Sequence, residues 1–426
     1  MKFRKLTALL LLAVLAVQLF GCGTKPQQLH APTTEEPLPT VTTEPTVVTE
    51  APEPVKEPRE ATLSTAAADF SANLLRQTHK SGENTTLSPY SVLTALAMTV
   101  NGADGETLAQ MESVLGLPVD KLNSELLACR EQSSEELVVA NSLWIRDGFE
   151  VQSDFLQTNV DYFTGSEVYQ TDFDSAAVDA VNGWVAEHTK DRIKKMVDRF
   201  SPLTMLCLIN ALTFDAKWEN EFYEENVYPA DFHAADGTTR QVDMMHGAVS
   251  AYLSSDSATG FVKPYAGGRF SFVGLLPNED VDIEDYVNQL DGNALLDLME
   301  SRSEEEVIIN LPVFKTEYSA ELSGALSKMG MPLAFDAGAA DFTRIADPEP
   351  ALFISSVLHK TYVSVDGAGT EAAAATLVMV ECTSAAPSDD EPEPKYVILD
   401  RPFVWMIWDE QNSLPVFIGV TDSITE

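Results

Sequence analysis

The chain has 426 residues, of which 66 are acidic and 27 are basic, so its formal net charge is −39. So large an excess of negative charge excludes functions that depend on nucleic-acid binding or on direct attraction to anionic lipid. Once an N-terminal signal and linker are set aside, about 365 residues remain, enough for one large domain with an extensive core.

The first 21 residues have the organisation of a secretory signal. Basic residues precede an apolar run at residues 6–20, which is too short for a comfortable membrane span. Gly21 and Cys22 follow, and this arrangement resembles a bacterial lipoprotein signal. We therefore predict that residues 1–21 are removed and that Cys22 carries a lipid, which anchors an extracellular protein to the cell membrane. The alternative is a conventional secretory signal with a coincidental cysteine.

Residues 22–61 have the composition of a tether. They are rich in Pro, Thr and Glu and contain almost no large apolar side chains, so they cannot bury a core. We predict a disordered, extended linker that holds the folded domain, residues 62–426, away from the membrane surface.

Helical and strand patterns follow each other irregularly in residues 62–426. Apolar residues at helical spacing predict helices at residues 108–115 and 178–185. The aliphatic run at residues 205–212 predicts a buried strand, and residues 403–408 and 415–420 predict a paired hairpin. Because the helices do not alternate regularly with strands, the predicted fold class is α+β.

Residues 369–376 contain four consecutive alanines and no bulky side chain. They could enter a tightly spaced sheet as a strand, or form an alanine-rich helix. In a strand, the even-numbered residues from Thr370 to Cys382 would share one face, and all of them are small or apolar. The acidic, proline-rich residues 387–394 predict a solvated loop. The segment therefore has the features of a latent strand that leads into an exposed loop.

The four cysteines do not indicate a disulfide framework, because a domain of this size does not need one. We predict that Cys129 and Cys207 are buried. Cys382 falls in the predicted exposed loop, where oxidation or intermolecular pairing would be feasible.

The sequence contains little that indicates catalysis or metal binding. It has no HExxH, CxxC, G-x-S-x-G or Walker-type motif, and its six histidines are scattered, so we expect no metal and no cofactor. Ser91, Asn210 and His359 superficially suggest a hydrolytic triad with Asn210 as the orienting residue. However, Ser91 lies in an apolar, helix-like context that does not favour an accessible nucleophile.

Several motifs occur in the order typical of one protein family. They are residues 84–91, 102–107, 208–218, 311–315, 340–343, 359–376, 401–403 and 417–419. From about Thr62 to the C-terminus, the chain resembles the serpins. The resemblance implies the serpin fold, which has a mixed central β-sheet, further sheets, surrounding helices and a mobile reactive-centre loop.

The resemblance also implies site residues. The hinge that enters the central sheet is implied to be Gly369, Thr370, Glu371, Ala372, Ala373, Ala374 and Ala375. The shutter, a buried hydrogen-bond cluster beneath the opening of that sheet, is implied to be Ser88, Ser91, Asn210 and His359. Trp218 is assigned to the breach, where the loop enters. This assignment competes with the hydrolytic triad, and we favour the shutter.

The resemblance implies inhibition by a suicide-substrate route, in which a protease cleaves the loop and is carried along as the loop inserts. Counting from Gly369 places the reactive bond at Thr383–Ser384. The bonds 382–383, 380–381 and 379–380 are alternatives, because the loop after Ser384 is longer than in common members. In addition, Gly367 and Ala368 stand where the family usually has acidic residues.

Uncharged residues around the implied bond favour elastase-like or subtilisin-like serine proteases, with a cysteine protease as an alternative target. We expect a monomer that is not an enzyme. The two rival interpretations are a non-inhibitory serpin that acts as a surface binding protein or carrier, and a cell-surface hydrolase that uses Ser91 and His359.

Overall fold

The computed structural model describes residues 27–29, 58–131, 135–163, 165–346, 351–370 and 393–424. The predicted signal with Cys22, most of the tether, the hinge after Thr370, Cys382 and the bond Thr383–Ser384 lie outside the described residues.

The helices of the described residues are distributed along the whole domain. They are α1 (Leu63–Thr78), α2 (Pro89–Val100), α3 (Gly105–Leu115), α4 (Val119–Glu131), α5 (Ser153–Tyr162), α6 (Ser175–His188), α7 (Ile283–Gln289), α8 (Gly292–Glu300) and α9 (Ser323–Met329). Two short 3₁₀ turns cover Glu224–Asn226 and Pro332–Phe335. The helices predicted at residues 108–115 and 178–185 are confirmed as α3 and α6.

The strands of the same ranges are β1 (Gln27–Leu29), β2 (Thr85–Leu87), β3 (Leu137–Arg146), β4 (Glu167–Thr171), β5 (Leu206–Phe214), β6 (Ala216–Lys217), β7 (Val227–His233), β8 (Thr239–Val249), β9 (Tyr252–Ser254), β10 (Ala258–Pro264), β11 (Phe270–Pro277), β12 (Val307–Pro312), β13 (Phe314–Glu321), β14 (Ile354–Val365), β15 (Gly369–Thr370), β16 (Lys395–Ile398), β17 (Phe403–Asp409) and β18 (Leu414–Thr421). The buried strand predicted at residues 205–212 is confirmed as β5, whose residues are all buried. The predicted hairpin is confirmed as the antiparallel pair β17 and β18.

These strands form three sheets. The central sheet has the order β1-β4-β3-β5-β14-β15-β6, and β13 also pairs with β14. A second sheet has the order β2-β18-β17-β11-β10-β9, and a third has the order β16-β12-β8-β7. Parallel and antiparallel pairs occur together in the central sheet, so the predicted α+β class with a mixed central sheet is confirmed.

Helix α2 shows how local sequence positions the site. The side chain of Ser88 accepts a hydrogen bond from the Ser91 backbone N–H, and Pro89 occupies the first turn, where its missing N–H costs nothing. Every residue of α2 is buried. The helix therefore lies in the core beneath the central sheet, and its N-terminus is held against the strands.

Helix α6 covers the other face of the central sheet. Val181, Trp184 and Val185 of this helix belong to one buried cluster with Cys207 and Ile209 of β5. The even-numbered side chains of β5, such as Leu208 and Leu212, instead pack in the main core. Because alternate side chains point to opposite faces, both faces of β5 are covered, as its continuous apolar run predicts.

Strands β5 and β14 run parallel but separate before they end. Their direct pairs run from Ile354 opposite Leu206 to Thr361 opposite Leu212, and pairing between them ends there within the described residues. We call the separated end of the sheet, at Phe214 and Val365, the loop pole, and the opposite end, at Leu206 and Ile354, the far pole.

Candidate functional site

The separated ends of β5 and β14 receive the two residues of β15. Thr370 lies opposite Val365 of β14 on one side and opposite Ala216 of β6 on the other, and both pairings are antiparallel. Thr370 is fully buried. The chain after β14 therefore turns back and starts a new strand in the gap between its neighbours.

The close fit at this position requires glycine. A Cβ atom added to Gly369 would lie 2.2 Å from the Ala216 carbonyl oxygen and 2.7 Å from the Lys217 Cα atom. Both contacts are far inside van der Waals distance, and both involve backbone that cannot move aside easily. The glycine of the predicted hinge is thus explained by the approach of a neighbouring strand.

A short turn at residues 366–369 directs the chain into the gap. The Asp366 carboxylate accepts hydrogen bonds from the backbone N–H groups of Ala368 at 2.8 Å and Gly369 at 3.2 Å. The Gly367 carbonyl accepts from Phe222 N–H at 2.8 Å, and the Ala368 carbonyl accepts from Trp218 N–H at 3.0 Å. Small residues at 367 and 368 are therefore compatible with this turn, because its hydrogen bonds come from the Asp366 carboxylate and the backbone and use no side chain at either position.

Trp218 lies beside the place where β15 enters the gap between β14 and β6, which we call the entrance. Its ring stacks on Tyr265, with ring centroids 4.4 Å apart and an interplanar angle of 9°, and its Nε1–H donates to the Asp366 carbonyl at 2.8 Å. The hydroxyl groups of Tyr265 and Thr370 share a hydrogen bond of 2.6 Å. The predicted breach residue is therefore linked to the start of the hinge through one aromatic neighbour.

A buried lysine completes the entrance. Lys263 Nζ donates to the Asn220 carbonyl at 2.8 Å and lies 4.3 Å from the centroid of the Phe222 ring. Burial lowers the pKa of Lys263 to about 8, and the nearby Glu219 partly opposes this effect. The amino group is thus held by a carbonyl and an aromatic face.

A second polar cluster crosses the central sheet nearer the far pole. Asn141 of β3, Asn210 of β5 and His359 of β14 lie side by side in register. Asn210 Nδ2 donates to Asn141 Oδ1 at 2.6 Å, and His359 Nδ1 pairs with Asn210 Oδ1. This row lies two residues from the point where β5 and β14 separate, so a strand that enters further must break the bond between Asn210 and His359.

The N-terminus of α2 completes the cluster from below. The Ser91 hydroxyl pairs with Asn210 Nδ2 and with Asn141 Oδ1. The Ser88 hydroxyl donates to the Val416 carbonyl at 2.9 Å. All of these side chains are buried, and their polar groups are paired, as burial requires. The structure therefore brings together Ser88, Ser91, Asn210 and His359, while their role as a shutter stays a prediction.

His359 is held in its neutral form. Burial lowers its pKa to about 3. The hydrogen bonds show why: Nδ1–H donates to Asn210 Oδ1, and Nε2 accepts from the Ser88 backbone N–H at 3.2 Å. Protonation would put a second N–H against the Ser88 N–H, so donor would face donor.

This pKa shift predicts a loss of stability in acid. The unfolded chain, with a histidine pKa near 6.5, binds more protons than the folded chain between about pH 6.5 and pH 3. The contribution of His359 is therefore complete above pH 6.5 and falls as the pH drops, by about 1.4 kcal/mol per pH unit at most. We expect the melting temperature to decrease between pH 7 and pH 5.

The matched measurement compares His359→Asn with the exposed His233→Asn. The His359 variant should melt lower at pH 7 but lose less between pH 7 and pH 5 than the wild type. The His233 variant should follow the wild type. Equal pH dependence in all three proteins would contradict the assignment.

The geometry argues against the hydrolytic triad. Among the described contacts, Ser91 Oγ pairs with the two asparagines, whereas His359 Nε2 accepts from Ser88. The candidate nucleophile and base thus share no bond, and both side chains are fully buried. A serine in this arrangement has no activated oxygen to present to a substrate.

Three further features of the described residues concern reactive cysteines, metal ligands and membrane-spanning helices. Cys129 and Cys207 are free and buried, as predicted, and burial raises their thiol pKa values to about 11 and about 12. The described ranges contain no cluster of three or more metal-ligating side chains. None of the helices in those ranges combines the length and apolarity needed to span a bilayer.

Comparison with known proteins identifies the family. The family model "Serpin (serine protease inhibitor)" matches residues 65–423. The chain is a serpin. A serpin-like protein of Thermococcus kodakarensis is 33% identical over 96% of this chain and 97% of its own length. Intracellular coagulation inhibitor 2 of Tachypleus tridentatus is 29% identical over 84% of this chain and 90% of its own length.

Solved serpin structures have the same fold. The native state of the thermophilic serpin tengpin has a TM-score of 0.81 and 36% identity, over 88% of this chain and 98% of its own. The latent state of tengpin gives a lower TM-score of 0.74. The predicted serpin fold is confirmed. Serpins are generally protease inhibitors that bind serine proteases.

The structure also shows site residues that the sequence analysis missed. Asn141 is the central acceptor of the buried row, and Tyr265 and Lys263 form the entrance with Trp218. Asn141 could have been noticed as a polar residue within the apolar run 137–145. No local sequence pattern marks Tyr265 and Lys263 as site residues. They are brought to the site by β10, which belongs to the second sheet, and by the residue that follows it.

Proposed function

We propose that this serpin inhibits serine endopeptidases as a suicide substrate, through cleavage of its reactive loop and insertion of that loop into the central sheet. The observation that supports this most directly is the gap between β5 and β14, with Thr370 already in its first position. A strand that runs between two parallel neighbours and antiparallel to both completes a regular ladder.

The register of Thr370 defines how far the strand would extend. If pairing continues from Thr370 opposite Val365, residue 381 falls opposite Ile354, where β14 begins. On the other side, residue 380 falls opposite Leu206, where β5 begins. A cut after residue 381 therefore leaves enough chain to fill the sheet, which supports Thr383–Ser384 over the bond 379–380.

The same register assigns the faces of the inserted strand. Thr370 and Val365 are buried on the core side, so residues 372, 374, 376, 378 and 380 would follow them there. Each of these residues is small or apolar. Charged Glu371 and Glu381 would lie on the opposite face. The composition of the segment thus matches the gap that it would fill.

Thr376 would come to lie in the row of buried polar side chains. If the pairing of Thr370 continued along the gap, Thr376 would fall opposite both His359 and Asn210. A threonine hydroxyl both donates and accepts, so it could replace the bond between these residues when the strand separates them. Insertion would then leave both His359 Nδ1 and Asn210 Oδ1 with a hydrogen-bond partner. This avoids the cost of about 1–3 kcal/mol for leaving a buried polar group unpaired.

The chemistry needs no activated group from the serpin. The protease serine attacks the carbonyl carbon of Thr383, the peptide bond breaks, and the amine of Ser384 takes a proton and leaves. The result is an ester between protease and loop. Because Thr370 is already paired, insertion of residues 371–383 would move that ester by about 43 Å, at roughly 3.3 Å per residue. Water must hydrolyse the ester before insertion is complete if the protease is to escape.

The expected targets have pockets for small or medium uncharged side chains. Thr383, Val380 and Met379 offer such residues, and no Lys or Arg lies between residues 376 and 394. Trypsin-like pockets carry a buried acid that this loop would leave unpaired. Lys395, the next basic residue, begins β16, and its N–H is bonded to the Glu306 carbonyl. Trypsin would have to unpair that strand to reach it.

Incubation with a panel of serine and cysteine proteases tests the proposal. Elastase-like or subtilisin-like enzymes should give a covalent band that survives denaturation, and the released fragment should begin at Ser384. Thr383→Arg should shift trapping toward trypsin by at least about tenfold. Cleavage without a covalent band would favour the non-inhibitory carrier, and efficient trypsin trapping through Lys395 would contradict the proposed bond.

We also propose that lipid on Cys22 anchors the protein outside the cell. The arrangement of residues 1–22 supports this, since a short apolar run ends in Gly21 and Cys22. Cells that express the wild type should incorporate labelled fatty acid into the protein and retain it in the membrane fraction. The variant Cys22→Ser should lose both properties, and retention of the label would refute the site.

A further inference from the structure

The tether contributes a strand to the edge of the central sheet. β1 (Gln27–Leu29) pairs antiparallel with β4, with Gln27 opposite Gln170 and Leu29 opposite Val168. The other neighbour of β4 is β3, so without β1 strand β4 would be the outermost strand among the described residues. An uncovered edge presents unpaired N–H and C=O groups to other chains.

The direction of this pairing places the start of β1 near the far pole. Strand β3 begins near the loop pole, where Leu137 lies opposite Phe214, and runs to Ile145 opposite Leu206 at the far pole. Strand β4 runs parallel to β3, and β1 runs antiparallel to β4. Gln27 is therefore the end of β1 that is nearer the far pole.

The composition of this part of the tether fits a docked segment. Lys25 and His30 flank β1, whereas the acidic residues of the tether begin only at Glu35. In a chain with a net charge of −39, the segment without acidic residues is the one that the domain repels least. Pro26 directly precedes β1, a position at which an edge strand tolerates proline.

We propose that residues 27–29 are a docking segment that attaches the tether to the edge of β4, so that the N-terminal end of the chain leaves the domain at the far pole. Its partner is the domain of the same chain. Docking itself does not depend on protease inhibition, and the membrane orientation that follows from it rests on the lipid proposed at Cys22.

Docking would fix the distance and orientation of the domain relative to the membrane. Four residues lie between Cys22 and Gln27, so five extended backbone steps would hold the lipid within about 18 Å of the docked strand. An undocked tether of about 40 residues would have an r.m.s. span of roughly 35 Å and no fixed direction. The docked form holds the far pole towards the membrane and presents the loop pole to proteases in the surrounding medium.

Cysteine cross-linking tests the docking register in a soluble background with Cys22→Ser and Cys382→Ser. The pair Gln27→Cys and Gln170→Cys should form a disulfide on mild oxidation, because directly opposite antiparallel residues have Cα atoms about 4.5–5.5 Å apart, which is within the range that a disulfide spans. The matched control joins Gln27→Cys with Ser319→Cys on β13, the other edge strand. We expect the first pair to link at least about tenfold faster.

Hydrogen exchange supplies a second, independent measurement. Deletion of residues 23–32 should raise exchange of the β4 amides by at least about tenfold, while the amides of the edge strand β16 stay unchanged. Equal cross-linking rates for the two cysteine pairs, or unchanged β4 exchange after deletion, would overturn the proposal. No protease is present in either experiment, so a failure of trapping would not affect the outcome.

Discussion

The variant Ala374→Glu is expected to convert the protein from an inhibitor into a substrate that is cleaved and released. Continued pairing from Thr370 places residue 374 between Thr361 and Leu212, on the core side. Both neighbours are buried. An unpaired carboxylate there costs several kcal/mol, and each 1.4 kcal/mol on the insertion barrier slows insertion tenfold. Hydrolysis of the ester would then occur first.

The matched control is Ala373→Glu, one residue away. Residue 373 would lie opposite Tyr362 on the other face of the sheet, where Lys315 Nζ is 5.0 Å from the Tyr362 ring centroid and could pair with the new charge. The measured quantity is the moles of inhibitor consumed per mole of protease inactivated. We expect a rise of at least about tenfold for Ala374→Glu and about threefold or less for the control. Equal values would show that the inward register is wrong.

Thr370→Arg should have the same effect for a reason visible in the structure. Thr370 is fully buried and bonded to the Tyr265 hydroxyl, so an arginine would remove the first residue from the gap. Thr370→Ser keeps the hydroxyl and should inhibit normally. The pair therefore separates the effect of a large charged side chain without a hydroxyl from that of substitution at position 370 as such.

Cleavage of the loop is expected to raise the melting temperature. In the intact protein, β5 and β14 separate beyond Leu212 and Thr361, and Gly369 and Thr370 are the residues of the described ranges that pair within the space between them. A cut at Thr383–Ser384 would free the residues between Thr370 and the cut to pair with β14 on one side and β5 on the other. Their backbone N–H and C=O groups then find partners inside the sheet, and we expect a rise of about 10 °C or more.

The control for this experiment is the cut form of Ala374→Glu. It has the same broken bond but cannot bury its loop without cost, so its melting temperature should rise much less. If a verified single cut leaves the melting temperature of the wild type unchanged or lower, the gap does not accept the loop. The non-inhibitory carrier would then be the better interpretation.

Much of this fold could be predicted because individual segments have clear periods. Helix α3 combines apolar residues at helical spacing with an Asp104 cap and a stop at Gly116, whose φ is 77°. Strand β5 is a continuous apolar run, as expected of a strand covered on both faces. Ser88, Ser91, Asn210 and His359 were assigned together through family resemblance, and the structure places them in contact.

The parts that could not be predicted depend on register between distant strands. Neither the point at which β5 and β14 separate nor the contact between Tyr265 and Thr370 follows from any local pattern, because both are decided by strands far apart in sequence. The pairing of Gln27–Leu29 with β4 is a similar case. A tether with the composition of a linker contains three residues that pair with a sheet edge.

The position of Trp218 gives the protein an intrinsic optical reporter. Its indole lies against Tyr265 and donates to the Asp366 carbonyl, at the place where loop insertion would begin in the proposed mechanism. Indole emission depends on such neighbours, so entry of the strand should change the fluorescence as it happens. The chain has five tryptophans, of which Trp144, Trp184, Trp405 and Trp408 lie in other parts of the fold. The difference in fluorescence between the wild type and a Trp218→Phe variant would therefore isolate the signal of Trp218, and unlabelled protein would report the speed of its own rearrangement.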